Sequence, residues 1–150
     1  MEEECVDFDL ANFGEGIVIM RFRRLPDTDD KVQRYLRRFR TLVHAAAGLH
    51  EPGSAPRPLS LVFSVAGEGI GMPSIALVRA QADFISEIRP LVETYGAVRS
   101  TAVIGGPVVD TILRLVLTFV KPLAPLRVFG TEQDALAWSR GGEPFTASPG

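Results

Sequence analysis

At 150 residues and 16.3 kDa the chain is the size of one ordinary domain, and 46% apolar with 23% charged residues is a globular rather than a disordered composition. Sixteen basic against eighteen acidic residues leave a net charge of −2, which argues against a dedicated nucleic-acid binder. One cysteine (Cys5) excludes an internal disulfide framework and a cysteine-built zinc site, two histidines (His44, His50) argue against a multi-histidine metal centre, and no metal or other cofactor is expected.

The first four residues, Met-Glu-Glu-Glu, are acidic where an export leader or transit peptide needs basic residues, and no apolar run follows. The apolar stretch from Ala102 to Val120 is interrupted by Gly105-Gly106-Pro107, Asp110 and Arg114, which suits a strand, a break and a helix better than a membrane span. A cytoplasmic protein without a transmembrane segment is expected. Charge is local: residues 1–20 carry six acids and no base, and residues 21–40 carry eight bases and three acids.

Val6 to Leu10 alternates as a half-buried strand does, and Gly16 to Arg23 repeats the pattern, with Asn12 to Gly16 as the turn between them. Pro26 to Asp30 supplies cap-type and acidic residues for a helix start. The helix that follows buries Val32, Leu36, Phe39, Val43 and Ala46 and stops at Gly48. After a Pro- and Gly-rich connection, Leu59 to Val65 reads as a strand covered on both faces. The loop Ala66 to Pro73 leads into a helix from about Ser74 to Tyr95, with Leu77, Phe84, Ile88, Leu91 and Tyr95 inward and Pro90 as an internal kink. Val98 to Ile104 is a strand, Pro107 to Val120 a helix, Arg127 to Phe129 a short strand, and Thr131 to Asp134 opens a last helix. The tail from Gly141 to Gly150 is expected to be disordered, leaving one domain over residues 1–140. The resulting order, β-β-α-β-α-β-α-β-α, predicts an α/β domain whose mixed sheet is mostly parallel, with one antiparallel strand at its edge.

Arg79 to Phe84, then Ala102-Val103-Ile104 before an apolar helix, Pro125 to Phe129, and the closing Thr131 to Trp138 carry a resemblance in order and pattern. Over roughly residues 5 to 140 the chain resembles the STAS-like (SpoIIAA-like) domains, the group related to the sporulation anti-sigma-factor antagonist. The resemblance implies a sandwich with helices largely on one face of the sheet, and a function in binding: partner switching, ligand sensing or self-association. The best-known members of that family are controlled by serine phosphorylation at the start of the helix after the third strand. The usual Asp-Ser-(Ser/Thr)-Gly is absent here; Ser64 and Ser74 are the candidate positions, and Ser74 at a helix amino terminus would favour a phosphate.

Three surfaces stand out. Gly67, Glu68, Gly69, Ile70, Gly71 and Met72 form a loop that matches neither a P-loop nor a dinucleotide fingerprint, and it reads as a ligand- or partner-facing edge. Arg34, Arg37 and Arg38 on the first long helix are a candidate anion patch, with a solvated helix face as the simpler reading. In the helix 107–120, Val109, Ile112, Leu113, Val116, Leu117 and Val120 make a core stripe, and Val108, Leu115 and Phe119 widen it beyond one face. That surplus suggests a homodimer interface or a lipid-binding surface. Neither histidine nor Cys5 has neighbours that suggest a nucleophile and base, so no catalytic residue is assigned and a non-enzyme is expected. The leading expectation is a regulatory or signalling domain that binds an unidentified protein partner and pairs with itself. The alternative is a small apolar-ligand or lipid-binding protein.

Overall fold

The computed structural model describes residues 5–49, 55–65 and 71–141. The strands are β1 (Val6–Asp9), β2 (Ile17–Phe22), β3 (Leu59–Ser64), β4 (Val98–Ile104) and β5 (Leu126–Phe129). The helices are α1 (Asp29–Ala46), α2 (Ile75–Tyr95), α3 (Pro107–Phe119) and α4 (Glu132–Ser139), with a 3-10 turn (Phe13–Glu15) between β1 and β2. Thr28, Ser74 and Thr131 cap α1, α2 and α4, each hydroxyl accepting from the backbone N–H three residues on. Gly105 lets α3 start hard against the sheet, since a Cβ there would fall 2.6 Å from Val109 Cγ2.

The sheet runs β1-β2-β3-β4-β5, with β1 antiparallel and every other pair parallel. Each parallel step moves in the same direction through a right-handed crossover, which puts α1, α2 and α3 on one face. That face holds the larger core: Val18, Met20, Leu59 and Leu61 meet Leu36, Phe39 and Val43 of α1 and Phe84 and Ile88 of α2. The opposite face has α4 over its centre, where Ala135 packs with Ile17, Ile19, Val62, Ala102 and Ile104. Beside it Asp7 and Asp9 of β1 pair with Arg23, just after β2, and Arg21 of β2.

The expected elements and their order are present, including the antiparallel edge and the buried stripe of α1. Two details of packing differ. Tyr95 is exposed as the last residue of α2, next to its Gly96 cap, and Val78 and Ala82 take buried positions instead. Leu117 is exposed rather than core, because α3 seats only Val109 and Val116 fully. The expected tail from Gly142 onward lies outside the described residues. No described helix is long and apolar enough to cross a membrane.

Candidate functional site

A sheet wound in one direction has no strand-order reversal, and so lacks the crevice at which open α/β sheets usually take ligands. The concave site of this fold lies elsewhere, between the helical face of the sheet and the underside of α2 and α3. There a cavity of about 140 Å³ is walled by Leu61, Phe63 and Val103 of the sheet and Leu77, Val78 and Ile85 of α2. Val109, Ile112, Leu113 and Val116 of α3 close it, and Tyr35 and Phe39 of α1 form its far end. Leu117 and Pro122, both exposed, also line it and mark the side on which it meets solvent.

The cavity exists because α3 is short and does not fill the space that α1 and α2 fill with aromatic rings. Phe39 meets Phe84 at 4.6 Å and Phe63 at 5.8 Å between ring centroids, and Tyr35 meets Phe22 edge-on at 5.3 Å. The helix α3 contributes only aliphatic side chains to the same layer. Polar side chains in the wall are Tyr35, Gln81 and Thr101. The Tyr35 hydroxyl donates to Gln81 Oε1 at 2.7 Å, and burial pushes its phenol well above the usual tyrosine range, so it stays neutral. With Oε1 so engaged, the Gln81 amide nitrogen is left to offer a donor to a bound carbonyl or hydroxyl.

The residues singled out from the sequence are distributed as follows. Gly67, Glu68, Gly69 and Ile70 lie outside the described residues; Gly71 and Met72 are exposed just before α2. Ser74 is the N-cap of α2, its Oγ accepting from Leu77 N at 3.0 Å, while Ser64 ends β3 half-buried. Arg34 is paired with Asp30 at 2.8 Å and Arg38 stacks its guanidinium on Phe8 at 4.6 Å, so two of the three arginines of the anion patch are engaged within the domain. Arg37 is exposed. Val108 and Leu115 are half-buried, which reduces the apolar surplus of α3. Phe119 remains 46% exposed with the Arg79 guanidinium over its ring at 5.1 Å.

The site residues that sequence reasoning missed are Tyr35 and Gln81, 46 positions apart. Tyr35 adjoins the α1 stripe and is indistinguishable there from a core residue; Gln81 sits on the apolar side of α2 among Leu77, Val78 and Phe84, the one local hint. Among the described residues no cluster of three metal-ligating side chains occurs. Comparison with protein-family models, with curated proteins and with solved structures finds no match to this chain.

Proposed function

We propose that this chain is a cytosolic, non-enzymatic binding module of STAS-like type that takes a compact apolar ligand between its sheet and helices α2 and α3. The observation that carries the reading is the cavity of about 140 Å³, walled almost wholly by carbon and bordered by the Tyr35–Gln81 pair. An apolar cavity of about 150 Å³ stays dry and accepts benzene, whereas drug-sized ligands occupy roughly 300–1,000 Å³. The ligand is therefore a single ring or a short branched chain with one carbonyl or hydroxyl, not a long acyl chain.

Native mass spectrometry and thermal shift test this. Small ring compounds such as indole or a phenol are expected to raise the melting temperature, and palmitate is not. Val116→Phe, which fills the cavity from α3, is expected to remove the shift while leaving the fold intact. Ring compounds that bind the variant and the parent equally would refute the assignment.

A second reading, regulatory self-association through α3, is favoured by the exposure of Leu117 and Phe119, 38% and 46%. Its test is the native mass of Phe119→Arg. A dimer that becomes monomeric supports it, and an unchanged mass rejects it.

A further inference from the structure

A different cleft lies at the opposite end of the sheet, where the parallel strands begin, and it is built around Arg99. In the pairing of β3 with β4, Leu59 faces Val98 but Ser60 faces Ser100, so Arg99 is the extra residue of a bulge. Bulges re-aim a side chain that regular pleating would place elsewhere. The Arg99 guanidinium accordingly crosses to Ser60 Oγ (2.7 Å from Nε) and to the Glu15 carbonyl (3.1 Å from Nη2). Ser60 is fully buried and is itself fixed by Ser100 Oγ at 2.9 Å and the Ser139 carbonyl at 3.3 Å. Gly16, at φ +76°, completes the seat: a Cβ there would lie 2.9 Å from the Pro58 carbonyl and 3.4 Å from Arg99 Nη1.

Every oxygen that holds Arg99 is neutral. Among the described residues no carboxylate lies within salt-bridge distance of it, while Arg21 has two and Arg23, Arg34 and Arg40 have at least one each. The carboxylate of Glu15, whose backbone carbonyl accepts from Arg99, is bonded by Arg140 at 3.1 Å. Among the described residues the charged side chains lining the cleft are Arg99, Arg140 and Glu15, with one positive charge in excess. Ser139 lines it as well; its hydroxyl is closed off from solvent and has no hydrogen-bond partner among the described residues. A guanidinium held in place by neutral oxygens is a preformed donor site for an anion.

We infer that this cleft binds a monoanionic carboxylate group, with Arg99 Nη1 as its main donor and Arg140 beside it. One excess charge matches one carboxylate, and the N–H bonds of Arg99 Nη1, which Ser60 and the Glu15 carbonyl do not use, are left to donate to its oxygens. A phosphate dianion would leave the cleft with a charge of the opposite sign. The inference is independent of the apolar cavity, which lies on the other face of the sheet.

The test is an amide NMR titration with acetate at constant ionic strength, chloride making up the balance. Saturable shifts are expected at Arg99, Ser100, Ser139 and Arg140. Arg99→Gln is expected to weaken binding by about tenfold or more, as loss of a charge-assisted pair does. Arg99→Lys, which keeps the charge but loses the fork, is expected to fall between. Absence of saturation in the parent protein would overturn the proposal whatever the variants do. So would unchanged acetate binding in Arg99→Gln, or inorganic phosphate binding more tightly than acetate.

Discussion

Arg21 shows how single residues tie distant parts of this chain together. Its Nη1 donates to Asp9 on the neighbouring strand at 2.6 Å, and its Nε and Nη2 grip both oxygens of Glu132 at 2.8 and 2.9 Å, 111 positions away. The hydrogen bond from Arg21 is the largest influence holding the Glu132 carboxyl below its ordinary range. For Asp9 the Ala11 backbone N–H is the largest, with Arg21 next. Both groups bind protons more weakly in the folded than in the unfolded chain. Their contribution to stability is therefore full above the unfolded carboxylate values, about 4, and is lost as pH falls through the lower folded values. Urea midpoints measured from pH 6 down to pH 3 are expected to fall with acidification, and to fall less steeply for Glu132→Gln. Parallel pH profiles for the two proteins would show that this link does not survive in solution.

The helices do different work here according to what their faces meet. In α1 the 18-residue run keeps Val32, Tyr35, Leu36, Phe39, Val43 and Ala46 buried on one stripe, and Phe39 sits at its centre against Tyr35, Phe63 and Phe84. Phe39→Ala is expected to cost about 3–5 kcal/mol in urea unfolding, because the surrounding rings cannot collapse into the space. A cost under about 1.5 kcal/mol would mean that the aromatic layer repacks freely. In α3 the periodicity is equally clear, but the sheet edge offers less to bury against. Val109 and Val116 are seated, Ile112, Leu113 and Leu115 are half-buried, and Leu117 and Phe119 face outward. This is why Phe119→Arg is the clean test of self-association. A charge at Leu115 would damage packing inside the domain as well as any interface.

At the scale of the molecule, one-directional winding decides where ligands can go. Three helices crowd one face, and the shortest of them roofs the cavity over Phe63 and Val103. The other face has only α4 to cover it, so its uncovered strands carry charged pairs rather than an apolar layer. The same arrangement gives Val116→Phe a second expected consequence. Filling an empty apolar space recovers contacts that its lining lacks, so the unliganded variant should unfold at a higher temperature than the parent. A lower melting temperature would mean that the space is too narrow for the ring.

The succession of elements was legible in the sequence because its signals are short-range. Helix-start residues such as Thr28 and Thr131, the 3.6-residue stripe of α1 and the alternation of β1 each report on a few neighbouring residues. Right-handed crossovers then bounded the class of sheet. What only the tertiary structure decided are the features made by residues distant in the chain. The cavity draws its walls from Phe22 through Leu126, and its size depends on how far α3 stands from the sheet. The seat of Arg99 depends on a one-residue slip between strands 39 positions apart, and on a glycine 83 positions before it. Neither a void nor a register slip has a local signature, because each is the residue of competing long-range packing preferences rather than the preference of any one segment.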